Sequence, residues 1–259
     1  MGGQATDHAR SLAGGRAYRT ERRMLAGVPC LIERPDDELP LRAVTLVLHG
    51  AHDSKEGKLG VYASLCAGRV AVVIPDAALH GERAEAELTP ESMGERNFVW
   101  TAAARTSGHL PELISALRAE LGDLPFWVVG SSMGGYSAQV LALHDRRVSR
   151  VACLISAGVW HDSLVTSPEA LAYLEGFRPV DHAHLAPPTW LLLQNGADDP
   201  LFPAETVERT AHAYRAAYTA AGLSERFAAR MYAGIAHYTS VQMRDEATAF
   251  LLAGLNEER

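Results

Sequence analysis

The sequence predicts an α/β protein, in which a mostly parallel β-sheet is covered by helices on both of its faces. Short, continuously apolar runs recur along the chain, and amphipathic stretches of helical length lie between them. A strand covered on both faces is apolar throughout, whereas a strand with one face in water alternates in polarity. The repeated alternation of strand and helix therefore predicts a doubly wound sheet, and 259 residues are enough for one such domain.

Apolar runs predict the core strands of this sheet. They cover residues 44–48, 70–74, 125–129, 151–155 and 190–193. A further strand is predicted at 227–232, and residues 20–35 are expected to form an extra β-ribbon that leads into the sheet.

Apolar residues at helical spacing predict the helices. The clearest stripe consists of Leu110, Leu113, Ile114, Leu117 and Leu121. Residues three or four positions apart lie on one face of a helix, so this stripe is expected to pack against the sheet. Two further helices are predicted at about 206–221 and 241–255.

The domain organisation follows from where this alternation begins and where it is interrupted. Residues 1–16 are small and polar, so we expect a flexible N-terminus followed by a single domain over 17–259. Residues 159–187 have weak periodicity and separate two predicted strands. We therefore expect them to form an inserted cap or lid.

Composition and charge disfavour several classes of protein. The chain has 24 basic and 31 acidic side chains and a formal net charge of −7, whereas a nucleic-acid-binding protein needs a basic surface. The apolar runs are too short to span a membrane. The first residues lack the charged and apolar regions of a secretion signal, so a cytoplasmic location is expected. The sequence leaves open whether the chain forms a homodimer.

The cysteines predict neither a metal site nor a disulfide framework. Cys30, Cys66 and Cys153 have no metal-ligand spacing, and their number is odd. Each lies in or beside an apolar stretch, so we expect buried free thiols. No metal ion or organic cofactor is expected.

The sharpest signal is a Gly-x-Ser-x-Gly pattern between a predicted strand and a predicted helix. It consists of Gly130, Ser132 and Gly134, and it follows the apolar run that ends at Val129. A turn this tight requires small residues two positions before and two after the serine, and it raises the serine hydroxyl at the start of the helix. Ser132 is therefore the predicted nucleophile.

A serine nucleophile needs a base, and the base needs a carboxylate that fixes its tautomer. Among eleven histidines, His237 alone occupies the loop between the last predicted strand and the last predicted helix, and it is the predicted base. Asp198 and Asp199 follow the strand at 190–193. Only one of these two adjacent carboxylates can face His237.

The third requirement is a pair of backbone N–H groups that stabilise the negative charge on the attacked carbonyl oxygen. One normally belongs to the residue after the nucleophile, here Met133, and the other to the loop after an early strand. That loop contains His49, Gly50, Ala51 and His52, and Ala51 is the predicted donor with His52 as the alternative.

Together, these segments resemble the α/β-hydrolase superfamily. The resemblance is carried by His49-Gly50-Ala51, Gly130-Ser131-Ser132-Met133-Gly134-Gly135, Asp199-x-x-Phe202-Pro203 and Gly234-x-x-His237. It extends from about residue 25 to the end of the chain and is most similar to small esterases of the dienelactone-hydrolase and prolyl-oligopeptidase-like branch. The resemblance implies an α/β-hydrolase fold, and the match to Pro203 implies that Asp199 is the acid.

Two features distinguish the chain from the two groups of enzymes that it resembles most. Dienelactone hydrolases use a cysteine nucleophile where this chain has Ser132, and the N-terminal propeller of prolyl oligopeptidases is absent from this sequence. The resemblance also extends to an Asp76-x-x-x-His80-Gly81-x-Arg83 element, which in that branch shapes a loop beside the site.

The expected function is that of a serine carboxylesterase acting on short- to medium-chain acyl esters, with His52, His80 and Trp160 as candidate substrate contacts. Hydrolysis of a thioester, a lactone or a short peptide would use the same residues, and so remains an alternative. A noncatalytic binding module on the same fold is the alternative from a different class.

Overall fold

One mixed sheet runs through the computed structural model, which describes residues 9–13, 16–159 and 163–257. Its strands are β1 Ala9–Ala13, β2 Arg16–Leu25, β3 Val28–Pro35, β4 Ala43–Leu48, β5 Val70–Pro75, β6 Phe126–Ser131, β7 Val148–Leu154, β8 Trp190–Gly196 and β9 Phe227–Tyr232. Their spatial order is β1-β2-β3-β5-β4-β6-β7-β8-β9. The six neighbouring strands β5, β4, β6, β7, β8 and β9 are parallel to one another. At one edge, β1 pairs antiparallel with β2, β2 with β3, and β3 with β5.

Helices cover both faces of this sheet, as the sequence predicts. The α-helices are α1 Pro90–Met93, α2 Glu95–Leu121, α3 Met133–His144, α4 Pro168–Gly176, α5 Ala204–Ala220 and α6 Val241–Glu257. Buried side chains of α2, α3 and α5 pack with one face of the sheet. On the opposite face, α6 packs with a 3-10 segment, Ala63–Gly68. The α/β-hydrolase fold expected from the sequence is therefore confirmed.

Within residues 1–16, which are expected to be flexible, the described residues 9–13 form regular structure. Ala9–Ala13 form β1, which pairs antiparallel with β2, and the ribbon expected at 20–35 is the pair of β2 and β3. Backbone hydrogen bonding to a neighbouring strand explains this, because a ladder is formed by main-chain groups and needs no continuous apolar run.

The segment 159–187 also differs from the expected cap over its described residues. Helix α4 packs against α2, and a 3-10 segment at Pro179–Leu185 packs against α3 and α5. Tyr173 is buried against Tyr136 of α3, with ring centroids 5.8 Å apart. Of the described residues 163–187, Leu164 and Phe177 are exposed, whereas the segment packs on the body of the domain through buried Val165, Ala170, Tyr173, Leu174, Ala183 and Ala186.

Candidate active site

Ser132 lies at the tight turn between β6 and α3, where the sequence predicts the nucleophile. Its backbone is in the left-handed region, with φ 55° and ψ −118°. Residues other than glycine rarely adopt such a conformation, and it persists only where the surroundings enforce it. Here the Ser132 amide donates to the Leu154 carbonyl at 3.0 Å, and the Ser132 carbonyl accepts from the Tyr136 amide at 3.0 Å.

The two glycines around Ser132 are required by close backbone approaches. A Cβ atom on Gly130 would lie 2.6 Å from the carbonyl carbon of Gly134. A Cβ atom on Gly134 would lie 2.6 Å from the carbonyl carbon of Leu48, at the end of β4. The turn can therefore close, and α3 can approach β4, only with these small residues.

His237 connects Ser132 to a buried carboxylate. The Ser132 hydroxyl lies 2.9 Å from His237 Nε2, and His237 Nδ1 lies 2.8 Å from Asp199 Oδ2. An Nδ1–H that donates to Asp199 leaves Nε2 free to accept the serine proton. The three groups are thus arranged for proton transfer from the hydroxyl to the imidazole.

The two adjacent aspartates differ in burial and in their contacts. Asp199 is buried and Asp198 is exposed. The second oxygen of Asp199 accepts hydrogen bonds from the Leu201 amide at 2.8 Å and the Phe202 amide at 3.0 Å. These bonds hold the carboxylate facing His237.

The loop after β4 approaches Ser132 closely, as the sequence predicts for Ala51. A Cβ atom on Gly50 would lie 3.4 Å from the Ser132 Cβ. Ala51 and Met133 both line the pocket that contains the Ser132 side chain. The amide of Met133 is the first of helix α3, where backbone N–H groups have no intrahelical partner.

The pocket at Ser132 is small, with a volume of about 180 Å³. Its walls are formed by Ala51, His52, Glu95, Arg96, Val99, Trp100, Met133, Leu201 and Phe202. Val99 and Trp100 of α2, with Leu201 and Phe202 of the loop after Asp199, give the pocket apolar walls, whereas His52 and the first two residues of α2, Glu95 and Arg96, are polar. The Phe202 ring lies 5.7 Å from the His237 ring and borders this space.

His49 fixes the shape of the loop that carries Ala51. Its Nε2 accepts a hydrogen bond from the Ala77 amide at 2.9 Å, so the proton is on Nδ1, which donates to the Gly50 carbonyl at 2.7 Å. Burial lowers the pKa of His49, which favours this neutral form. The loop after β4 is thereby tied to the loop after β5.

Asp76 and Lys55 form a buried ion pair that supports the same two loops. Lys55 Nζ lies 2.7 Å from Asp76 Oδ2, and the amides of Lys55 and Glu82 donate to the two oxygens of Asp76 at 2.9 Å. Burial lowers the pKa of Lys55, but its hydrogen bonds to Asp76, Glu82 and Glu56 raise it more, so its net shift is upward. A Cβ atom on Gly81 would overlap the Asp76 carboxylate.

The three candidate substrate contacts have different positions. His52 lies at the pocket, stacked on Phe98, with Nε2 2.7 Å from Glu95 Oε1. His80 is buried behind it, 5.0 Å from the Phe98 ring, and Nδ1 lies 2.9 Å from the Ala78 carbonyl. His80 is not among the residues that line the pocket at Ser132, and its contact with substrate stays a prediction. Trp160 lies outside the described residues.

The pocket includes residues that the sequence analysis does not predict. Glu95, Arg96, Val99 and Trp100 come from the first two turns of α2, and Leu201 comes from the loop after Asp199. For α2, no local pattern indicates which end of the helix reaches the serine. For Leu201, its position inside the Asp199–Pro203 element could have suggested a place beside the histidine.

The sheet order and the tight turn after β6 are those of an α/β-hydrolase. A model of the Alpha/beta hydrolase family matches residues 45–254, and the chain belongs to this family. No curated protein matches the chain.

Several solved structures have the same fold. TT1662 from Thermus thermophilus is 26% identical, with a TM-score of 0.80 over 92% of this chain and 98% of that protein. A cold-adapted esterase from an Arctic intertidal metagenomic library is 15% identical, with a TM-score of 0.63 over 96% and 97% of the two chains. An S-formylglutathione hydrolase from Agrobacterium tumefaciens is also 15% identical, with a TM-score of 0.65 over 96% of each chain.

The described residues were also searched for membrane-spanning helices and for groups of metal ligands. No helix in the described ranges is both long and apolar enough to cross a membrane. Within the same ranges, no three side chains of histidine, cysteine, aspartate or glutamate are grouped as metal ligands.

Proposed function

We propose that this protein is a serine carboxylesterase that hydrolyses esters of short- to medium-chain acids. The observation that carries the proposal is the continuous hydrogen-bonded path from the Ser132 hydroxyl through His237 to the buried Asp199, with distances of 2.9 and 2.8 Å. A serine hydroxyl is too weak a nucleophile to attack an ester unless a base accepts its proton. This path supplies the base and its orienting carboxylate at the edge of a pocket.

In the proposed mechanism, Ser132 Oγ attacks the ester carbonyl carbon while its proton passes to His237 Nε2. The C=O bond becomes a C–O⁻ single bond, and the amides of Met133 and Ala51 donate to this oxyanion. When the intermediate collapses, the ester C–O bond breaks and the alcohol leaves with the proton from His237. Asp199 stabilises the imidazolium formed in between.

The second half of the cycle releases the acid. A water molecule attacks the acyl-enzyme carbonyl, and His237 accepts the water's proton. Collapse of the second tetrahedral intermediate breaks the bond to Ser132 Oγ, which takes the proton back from His237. No group other than the side chains and amides already described is required.

The pocket dimensions support a preference for short acyl groups. Its volume of about 180 Å³ lies below the roughly 300–1,000 Å³ usual for drug-sized ligands. Val99, Trp100 and Phe202 bound it with apolar surface. A series of p-nitrophenyl esters from acetate to palmitate tests the preference: kcat/KM is expected to be highest for the short members, and a maximum at palmitate would contradict it.

Covalent labelling tests the catalytic role of Ser132 directly. A fluorophosphonate probe is expected to label the purified protein at Ser132, and Ser132→Ala is expected to abolish both labelling and ester hydrolysis. The matched control is Ser131→Ala, which removes the neighbouring hydroxyl and is expected to leave labelling intact. Absence of an adduct on folded wild-type protein would favour a noncatalytic binding module.

The same experiment extends to the alternative substrates. Thioesters, lactones and short peptides pass through the same kind of tetrahedral intermediate, so the arrangement of Ser132 and His237 serves them equally. A substrate panel with Ser132→Ala as the blank separates these activities. A kcat/KM for a thioester well above that of the matching oxygen ester would replace the carboxylesterase assignment.

A further inference from the structure

A second hollow lies between helices α2, α3 and α4, away from Ser132. This helix hollow has a volume of about 270 Å³, and among the described residues none lines both it and the pocket at Ser132. Tyr136 lies between the two spaces, because its ring packs 4.9 Å from Trp100 of the pocket and 5.8 Å from Tyr173 of the hollow. The residues that line the helix hollow are Ala104, Ser107, Gly108, Pro111, Ser137, Val140, Leu141, His144, Asp145, Tyr173 and Phe177.

The walls of the helix hollow are mostly apolar and partly aromatic. Val140 and Leu141 of α3 are buried there, and Phe177, which follows α4, is exposed. The Phe177 ring lies 5.8 Å from the Tyr173 ring and 5.4 Å from the His144 ring. Aromatic rings favour further rings in offset or edge-on arrangements, so these walls suit a flat aromatic ligand.

Three hydroxyl groups meet at the helix hollow. The Tyr173 hydroxyl lies 2.7 Å from Ser107 Oγ, and the Ser137 hydroxyl lies close to it. Ser137 is only 1% exposed, yet its Oγ makes no well-formed hydrogen bond within the described residues. A buried polar group without a good partner costs free energy, and a ligand that bonds to it recovers that cost.

Pro111 adds an acceptor to the same wall. In an α-helix the carbonyl of residue 107 accepts from the amide of residue 111, and a proline has no amide hydrogen. The Ser107 carbonyl therefore lacks its α-helical donor, and Ser107 and Pro111 both line the helix hollow. A ligand hydroxyl both donates and accepts, so it matches this carbonyl together with the hydroxyl of Ser137.

Charge at the helix hollow is balanced. Its one acidic lining residue is Asp145, and Arg147 Nε donates to Asp145 Oδ1 at 2.8 Å. Burial and the neighbouring His182 lower the pKa of His144, which favours its neutral form. A charged ligand would lose its hydration here without gaining a partner of opposite charge. The hollow therefore suits a neutral ligand.

We propose that the helix hollow binds a neutral phenol, with its ring against Phe177, Val140 and Leu141 and its hydroxyl toward Ser107 and Ser137. An apolar cavity of about 150 Å³ can hold benzene, so about 270 Å³ accommodates one substituted ring. The site is independent of the ester hydrolysis proposed for Ser132.

NMR titration of the isotope-labelled full-length protein tests the site. Phenol and toluene form a matched pair of ligands, because toluene has a methyl group where phenol has its hydroxyl. Phenol is expected to cause saturable shifts of amides at 104–111, 137–145 and 173–177, and to bind more tightly than toluene. Benzoate, which carries a negative charge, is expected to bind more weakly than phenol.

Ser137→Ala tests the recognition of the hydroxyl. It is expected to weaken phenol binding about fivefold, the effect of losing one hydrogen bond, and to leave toluene binding unchanged. Ser224→Ala removes an exposed hydroxyl in the loop before β9 and is the matched control. A purely structural role of Ser137 would weaken both ligands equally, and that result would contradict the proposal.

Ala104→Leu tests the location, because a larger side chain at this position of the wall reduces the space for a ring. It is expected to abolish phenol binding, whereas the same change at the exposed Ala216 of α5 is expected to have no effect. Circular dichroism and ester hydrolysis verify that each variant is folded.

Three further results would overturn the proposal. The first is the absence of saturable shifts at millimolar phenol, and the second is phenol binding that survives Ala104→Leu. The third is a dimer in sedimentation velocity that Ala104→Leu dissociates, which would assign the helix hollow to a second copy of the chain.

Discussion

The carbonyl of Ile235 lies against the α-carbon of Gly196, so closely that a Cβ atom on Gly196 would be 2.6 Å from the Ile235 carbonyl carbon and nearer still to its oxygen. Gly196 ends β8, three residues before Asp199, and Ile235 is two residues before His237. The contact therefore sets the distance between the loop with the carboxylate and the loop with the imidazole. The Asp198 amide donates to the same Ile235 carbonyl at 3.0 Å and joins the two loops further.

This contact predicts that Gly196→Ala impairs catalysis. The added methyl group must push the loop at 233–237 outward and lengthen the bond between Ser132 and His237, and a misplacement of about 1 Å can cost about 100-fold in rate. We expect kcat/KM for a short p-nitrophenyl ester to fall at least about tenfold. Gly176→Ala is the control, because a Cβ atom there meets nothing within 4 Å. Equal activities of the two variants would contradict the prediction.

The adjacent aspartates provide a matched pair of substitutions. Asp199→Asn removes the charge that holds the Nδ1–H tautomer of His237, and kcat is expected to fall by roughly 10³–10⁴. Asp198→Asn changes an exposed carboxylate and is expected to alter kcat less than about twofold. Steady-state kinetics on the same ester measure both. A larger loss of kcat in Asp198→Asn than in Asp199→Asn would show that Asp198, and not Asp199, is the acid.

The buried Lys55 predicts a large stability effect. Lys55→Met leaves the Asp76 carboxylate buried without its cation, and loss of one partner of a buried pair costs about 3–5 kcal/mol. Lys58→Met, which breaks a more exposed pair with Asp53, is expected to cost about 1 kcal/mol or less. Urea unfolding measures both free energies. A similar cost for the two variants would show that Asp76 is stabilised by its amide donors alone.

Glu33 predicts a pH dependence of stability. It is fully buried in β3, where its Oε1 accepts from the Gly60 amide at 2.6 Å, and burial raises its pKa to about 7 despite that hydrogen bond. A raised pKa means that the folded protein holds the proton more tightly than the unfolded chain does. The stability that Glu33 contributes is therefore complete below about pH 4.5 and is lost as the pH rises to about 7.

Glu33→Gln tests this dependence, because the amide is neutral at every pH and can still accept from Gly60. The free energy of unfolding of the variant, relative to the wild type, is expected to rise by about 2–3 kcal/mol between pH 5 and 8. Urea unfolding at intervals across that range measures it, and Glu208→Gln, at an exposed position on α5, is the control for losing one carboxylate. A difference that stays constant with pH would show that Glu33 does not titrate there.

The central strands could be predicted because parallel strands buried on both faces give continuous apolar runs. The runs at 44–48 and 70–74 differ by one residue from β4 and β5, which are buried throughout. The strand predicted at 227–232 has the same bounds as β9, although β9 is an edge strand and partly exposed. Helix α2 was only half predicted. It begins at Glu95, fifteen residues before the apolar stripe, and continues through Pro111, a residue that usually ends a helix.

For the candidate site, the sequence predicts which residues are proposed for covalent and proton chemistry, but it does not predict most of the residues that line the pocket beside them. Ser132, Asp199 and His237 each follow a strand, so their positions are set by the order of the sheet. Val99 and Trp100 line the pocket because the first turns of α2 lie beside Ser132, which is a tertiary relationship with no local pattern. The packing of His80 against Phe98 of that helix is likewise a tertiary contact with no local pattern in the sequence.

The two ends of helix α2 have different roles. Its last turns place Leu113, Ile114 and Leu117 in the hydrophobic core, whereas its first turns present Glu95, Arg96 and Val99 to the pocket. Substitutions in the first turns of α2 can thus change which molecules the pocket binds, while the core packing of its last turns holds the fold together. Single substitutions at Glu95, Arg96 or Val99 can therefore change substrate selectivity without moving Ser132 or His237 and without lowering the stability of the fold.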